Sequence, residues 1–306
     1  MEQTRHVTVL LNETVQGVLD GLDSTACGIV VDGTLGGGGH LRLTLDELER
    51  RGASKVHVCA FDRDLEAVER GKERFTAEIR AKRLEIVHGA FSSLAEHLPS
   101  GEPLIAFYAD LGFSSDQIES ADRGMSFQRP GPLDMRLDPS QGEPVSALLE
   151  KVGEKELARI LSEWGEERFS ERIARYWIHD RTQGKHPQTT IEFADWMARI
   201  IPRKFHERRI HPATRTFQAL RIWVNDEIGE LERGLRSVFE RLQSKGKMGF
   251  ISFHSLEDRA VKNFFSQLEK EGVLKRVTRK AILPTREEVE QNKRSRSAKL
   301  RIGEKR

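Results

Sequence analysis

The sequence predicts a doubly wound α/β domain interrupted by a mainly helical insert. Three observations predict it. Residues 29–51 read as a β-branched strand, a run of glycines and a helix. Strand-like and helical runs alternate on either side of that segment. From about residue 115 to residue 212 the alternation gives way to helical periodicity.

The first element is the most informative. Ile29, Val30 and Val31 are β-branched, as a buried strand requires, and Asp32 and Gly33 end it. Gly36, Gly37, Gly38 and Gly39 then let the backbone turn sharply and approach a ligand closely. A helix-compatible run follows, Leu41 to Arg51. The glycines do not spell the dinucleotide fingerprint, because Leu41 stands where its third glycine belongs. No Walker lysine follows either, since His40 and Leu41 occupy its place. The loop therefore suits a nucleoside ligand without a phosphate chain, a description that S-adenosylmethionine (AdoMet) fits. The plain alternative is a tight turn in some other α/β protein.

Lys55 to Phe61 is the second strand, closed by Asp62, and an acid there can accept hydrogen bonds from ribose hydroxyls. A surface acid at a strand end is the alternative. Leu84 to His88 is the third strand. Phe91 follows it and is placed either to pack on an adenine face or to join the core. Leu104 to Asp110 is the fourth strand and leads into Leu111-Gly112-Phe113-Ser114-Ser115. In an open parallel sheet the ligand crevice lies off the carboxyl ends of the strands, so Asp110 faces it. Amino-group methyltransferases keep an Asp/Asn/Ser-Pro-Pro-aromatic tetrad at this point. Here the acid and the aromatic are present, as Asp110 and Phe113, and the prolines are not. An exocyclic pyrimidine amine is a weak nucleophile, because its lone pair is delocalised into the ring. A carboxylate and a backbone carbonyl accepting its hydrogens would localise that pair. No metal and no covalent cysteine is needed for this chemistry.

The middle of the chain carries apolar residues at helical spacing over 145–152, 154–164, 167–181 and 190–201. Gly184, Pro187 and Pro202 punctuate them. The predicted layout is one domain over 1–114 and 213–306, with a mainly helical domain inserted at 115–212, either for substrate recognition or as a purely structural cap. On a helix over Ala213 to Glu227, Gln218, Arg221 and Asn225 fall within about 60° of each other, with Arg215 beside them. Phe217, Leu220, Val224 and Ile228 form a separate apolar face. The polar face suits RNA or active-site contact, with plain solvation as the alternative. Lys247 to Phe253 is the fifth strand, and His254 at its end could hold a substrate base, relay a proton or serve structure alone. Lys275 to Ile282 and Ala298 to Gly303 would complete the sheet.

Composition bounds the function. At 306 residues the chain can bury a sizeable core, and no apolar run approaches the roughly 20 residues of a membrane span. The N-terminus has neither a signal-peptide apolar core nor a transit-peptide pattern, so a cytoplasmic protein is expected. Cys27 and Cys59 form no C-x-x-C and are expected to be reduced core thiols. A net charge of +2 hides an asymmetry: residues 275–306 carry +8 and the rest −6. A second basic cluster runs from Arg199 to Arg215. Basic patches on a near-neutral chain point to phosphate-backbone contact, against the alternative of a solvated charged face.

Several long, ordered motifs carry a resemblance that spans nearly the whole chain. They include H-V-T-V-L-L-N-E (6–13), D-G-T-L-G-G-G-G-H (32–40), F-D-R-D (61–64), D-L-G-F-S-S (110–115) and R-G-M-S-F (123–127). G-P-L-D-M-R-L-D (131–138), G-E-E-R-F (165–169), H-P-A-T-R-T-F-Q-A-L-R-I-W-V-N (211–225), I-S-F-H-S-L-E-D-R (251–259) and R-S-A-K-L-R (296–301) follow. The chain resembles the RsmH (MraW) family. That resemblance implies a Rossmann-like class I methyltransferase domain and AdoMet-dependent methylation of the exocyclic N4 of a cytidine in 16S ribosomal RNA. It carries AdoMet contacts onto Gly38, Gly39, His40, Asp62, Phe91, Asp110 and Gln117, and RNA recognition onto the insert. Asp110 and His254 are the catalytic candidates, and Arg215, Gln218, Arg221 and Asn225 the substrate-binding ones. The implied partner is 16S ribosomal RNA or the small subunit, with no membrane and with a homodimer left open. Small departures, such as Leu35 for an aromatic and Asn292-Lys293-Arg294 for Asn-Pro-Arg, remove no ligand. The rival readings are a non-catalytic ribosome-assembly binder and a nicotinamide-dependent oxidoreductase.

Overall fold

The structure is a computed structural model that describes residues 8–112, 121–206 and 210–306. The chain divides into two compact units, Met1–Gly112 with Ile228–Arg306, and Phe113–Glu227.

The first unit is built on a seven-stranded sheet. Its strands are β1 (Cys27–Asp32), β2 (Lys55–Asp62), β3 (Leu84–His88), β4 (Leu104–Asp110), β5 (Leu242–Ser252), β6 (Leu274–Arg276) and β7 (Lys299–Lys305). The order is β3-β2-β1-β4-β5-β7-β6. β1 to β5 pair in parallel, and β7 runs antiparallel to both β5 and β6. The expected doubly wound, Rossmann-like α/β architecture is therefore present. Helices α1 (Leu11–Leu19), α2 (Gly39–Arg50), α3 (Leu65–Arg74), α4 (Thr76–Arg80) and α5 (Leu94–His97) connect the first half.

Strand residues alternate between two cores, as the two-residue period demands. Ile29, Val31, Phe61 and Phe107 pack on one side with Leu231, Leu235, Val261 and Phe265. Val30, Val58, Ala60 and Tyr108 pack on the other with Val15, Leu41, Leu45 and Val68. Burial on both faces explains why β4 reads L-I-A-F-Y-A as an unbroken nonpolar run.

The second unit has its own core, built by α6 (Val145–Lys151), α7 (Glu154–Gly165), α8 (Ser170–Thr182), α9 (Thr190–Ile200) and α10 (Thr214–Asn225). The four periodic segments of the sequence match the first four of these helices. Helix α11 (Glu227–Arg241) then leads the chain to β5. The border differs from expectation. Ala213, Phe217, Ala219 and Leu220 join the second unit's core, so the border lies at 227/228 and not at 212/213.

Two further expectations change. Cys27 opens β1 and is exposed, while Cys59 is buried as expected, and burial pushes its thiol up to about 12. The strand expected over Lys275 to Ile282 stops at Arg276. There Thr278 Oγ1 accepts the Ile302 N–H at 2.9 Å, so a side chain interrupts the backbone ladder. Pairing resumes as one isolated bridge, Ile282 with Leu300.

Candidate active site

The chain winds outward from β1 through β2 to β3, then restarts on the other side of β1 with β4 and β5. The reversal between β1 and β4 opens a crevice at the carboxyl ends of these strands. Asp32 ends β1, Asp62 ends β2 and Asp110 ends β4, so topology alone brings three carboxyl groups to one edge of the sheet.

The glycine run forms the floor. Gly38 has φ +72° and precedes α2, and a Cβ on it would lie 2.8 Å from the Phe75 ring. A Cβ on Gly39 would lie 1.9 Å from Thr8 Oγ1. Both positions therefore exclude any side chain. His40, the next residue, is buried, and its Nε2 lies 3.1 Å from the Val9 carbonyl. Its ring thus braces the segment before α1.

Asp62 is held from both sides. Its Oδ2 accepts the Gly36 N–H and its Oδ1 the Asp64 N–H, each at 2.8 Å. Each oxygen keeps a lone pair for a hydroxyl donor. Burial raises the Asp62 carboxyl above its ordinary range, against these two bonds. Asp110 is positioned through its backbone, whose N–H donates to Thr34 Oγ1 at 2.6 Å. The following N–H, of Leu111, donates to the Ile251 carbonyl at 2.9 Å. Asp110 Oδ1 is buried with no hydrogen-bond partner among the described residues, and so is Asp32 Oδ2. Burial, then the nearby charges of Asp32 and Glu257, push the Asp110 carboxyl well above its ordinary range. Burial also raises Asp32 to about 7, opposed by the Thr34 N–H.

Buried carboxyl oxygens left without a partner favour a ligand carrying positive charge and donors. AdoMet, with a sulfonium, an ammonium and ribose hydroxyls, has that complement. The residues present fit it.

The remaining predicted residues divide. Phe91 is 8% exposed, and its ring packs on Phe107 and Phe250 at 5.6 and 6.3 Å between centroids. The ring belongs to the core. His254 is the N-cap of α12 (Ser255–Lys270), with Nε2 3.1 Å from Glu257 Oε1. Glu257 Oε2 also accepts the Phe253 N–H at 2.9 Å, fixing this turn at the end of β5. Gln117 lies outside the described residues.

On α10, in the second unit, Arg221 is buried and forms a two-point ion pair with Glu227 at 2.7 and 2.8 Å. Asn225 Nδ2 donates to the Met135 carbonyl and its Oδ1 accepts the Leu137 N–H, which holds the 131–138 loop. Gln218 donates to the Trp164 carbonyl at 3.2 Å. Arg215 is exposed.

Sequence reasoning passed over Asp32, read as a strand end, and Thr34 and Glu257, which orient their neighbours. The signal for Asp32 was its place directly before the glycine run.

A sequence profile described as the MraW methylase family matches residues 3–306. Among solved structures, the fold is similar to a protein from Streptococcus mutans described as a methyltransferase, in complex with SAH. That match has 12% identity, covers 98% of this chain and 99% of that one, and has a TM-score of 0.48. A protein from Clostridium thermocellum described as an rRNA methylase matches at 10% identity, 98% and 99% coverage and a TM-score of 0.48. An rRNA methylase from Streptococcus thermophilus matches at 13% identity, 96% and 93% coverage and a TM-score of 0.42.

Proposed function

The chain belongs to the MraW methylase family, and from that premise we propose that it methylates the exocyclic N4 of a cytidine in 16S ribosomal RNA. Its cofactor is AdoMet, and its sheet is that of a Rossmann-like methyltransferase. Membership in a methylase family leaves no place for the nicotinamide reading. The observation that carries the proposal is the buried, unpartnered Oδ1 of Asp110 at the switch point of the sheet.

When bound, AdoMet supplies a methyl group on a sulfonium, already a good leaving group. Gly38 and Gly39 would let it approach the backbone, and Asp62 would accept its ribose hydroxyls through its remaining lone pairs. His40 would act by bracing the loop, since its ring is tied to Val9. Phe91 would shape the site from the core side. Gln117 completes the proposed set from the segment after β4.

Asp110 would accept a hydrogen of the cytidine amino group, with the loop carbonyls beside it accepting the other. Both bonds localise the nitrogen lone pair, and holding the amine in line is a large part of the rate. The target base must be unstacked to reach this crevice. His254, beside the end of β4, would hold the base or take part in removing its proton. Of the polar residues of α10, exposed Arg215 is carried forward as the RNA contact. Gln218, Arg221 and Asn225 would act by shaping the surface that presents it.

The test is transfer of label from methyl-labelled AdoMet to small ribosomal subunits that lack the modification, followed by nucleoside analysis. Label in N4-methylcytidine, reduced about 100-fold or more in Asp110→Ala, supports the reading. Label in another nucleoside overturns the substrate. Full function of Asp110→Ala in ribosome assembly, with no label in the wild type, would favour a non-catalytic binder.

A further inference from the structure

Large aromatic side chains seldom stay exposed beside cations that have no acid to pair with. The second unit has two. Phe205 is 37% exposed and Tyr176 is 40% exposed. The Arg168 guanidinium lies 4.7 Å from the Phe205 ring centroid, with Lys204 Nζ at 5.1 Å. Phe169 backs Phe205 at 5.1 Å between centroids. One turn along α8, the Arg172 guanidinium lies 5.3 Å from the Tyr176 ring. Arg172 Nε also donates to the Ile200 carbonyl at 2.9 Å, which ties this part of α8 to the end of α9.

Helical geometry explains the exposure. Ile173, Ala174 and Trp177 take the core-facing positions of α8, so Arg172 and Tyr176 fall on the opposite side. Phe205 ends the short 3-10 turn Arg203–Phe205, which has no buried residue. Arg168, Arg172 and Lys204 form no ion pair with a described residue. Glu154 on the neighbouring helix pairs with Arg175 instead, at 3.8 Å.

We propose that Phe205 and Tyr176, flanked by Arg168, Arg172 and Lys204, form a stacking platform for an unpaired segment of the RNA substrate. The proposal rests on the reading that the substrate is RNA. An aromatic ring or a guanidinium plane offers a stacking surface to any base, and the cations meet the phosphates. A duplex hides its base faces, so exposed rings specify a single strand. Stacking and charge together give affinity with little sequence preference, which leaves choice of the base to the crevice residues. An acidic protein segment would use the cations but would gain little from rings already stacked with arginine.

The experiment is binding of a fluorescent 12-mer oligoadenylate to the full chain. Phe205→Leu/Tyr176→Leu tests stacking, and Arg168→Ala/Lys204→Ala tests charge. Removing the rings is expected to weaken binding about ten-fold or more, with AdoMet affinity unchanged. Removing the two cations is expected to lower the slope of log affinity against log salt by about 1.4. Polyglutamate of equal charge and a duplex of equal charge should compete poorly. Unchanged binding in the ring variant overturns the proposal, and so does equal competition by polyglutamate, which would point to an acidic protein partner. The same proteins are assayed for N4-methylcytidine. Ring-dependent RNA binding without methylcytidine would sink the methylation reading and leave the platform standing. Methylcytidine made at the wild-type KM by the ring variant would sink the platform alone.

Discussion

Asp32 is a carboxyl group that folding places where its charge is costly. With one oxygen unpartnered and burial raising it to about 7, the folded protein holds a proton that the unfolded chain releases near pH 4. The unfolded state thus binds fewer protons between these values, and stability falls as pH rises through that window. Asp32→Asn should remove this dependence. Denaturant melts without ligand should show the variant gaining on the order of 2 kcal/mol over wild type between pH 5 and pH 7, and little change below pH 4. Phe91 illustrates what one residue's neighbourhood conceals. In sequence, an aromatic after a strand end is compatible with ligand or core. In the structure the ring packs in the core beside a residue distant in sequence, and a Cβ on Gly234 would lie 2.1 Å from it. Gly234→Ala should therefore overpack this contact and cost about 1–3 kcal/mol in a chemical melt. The placement of Asp62 and Asp110 at strand ends was legible because each closes a nonpolar run. The tether of His40 to Val9 was not, because no local pattern announces a bond from α2 to the segment before α1.

At the scale of elements, periodicity served best where a helix has one buried stripe. α6 to α9 run within a few residues of the apolar spacing that predicts them, because each lays its stripe on a shared core. α9 is also fixed at its start by a capping box, in which Thr189 Oγ1 accepts the Glu192 N–H and Glu192 reaches back to Thr189 N–H. Thr189→Ala should lower the stability of the second unit by about 1 kcal/mol, read by amide exchange in residues 190–200. Short strands were less legible. Val277 and Thr278 have strand composition, yet both of their N–H groups converge on the single Ile302 carbonyl. A choice between side-chain and backbone acceptors made across strands leaves no periodic trace.

Across the whole molecule, the charge asymmetry changes meaning once partners are known. Arg276 pairs with Glu269, Lys299 and Arg301 pair with Asp258, and Lys305 donates to the Phe239 carbonyl. Part of the basic C-terminal stretch is thus neutralised by α12 or spent on backbone, and counting charges along a window overstates its reach toward RNA. The interruption of the chain was visible in sequence. Its far border was not, because α10 reads equally well as part of either unit until its apolar face is seen on α7 and α6. Separate cores predict separate melting. Calorimetry should resolve two transitions, and AdoMet at about 100 times its Kd should stabilise the one belonging to the sheet unit by about 2.7 kcal/mol. A single transition shifted as a whole would contradict this.

The position of β7 also bears on how the molecule is made. It lies between β5 and β6, yet it follows every other described element in the chain. During synthesis the ribosome therefore emits β1 to β4, then the entire helical unit, before β5 can join them. β6 emerges with no neighbour to pair with until β7 clears the exit tunnel. The nascent sheet carries an open edge, first at β4 and then at β5, until β7 is made, so the helical unit can mature first while the sheet waits on residues 299–305.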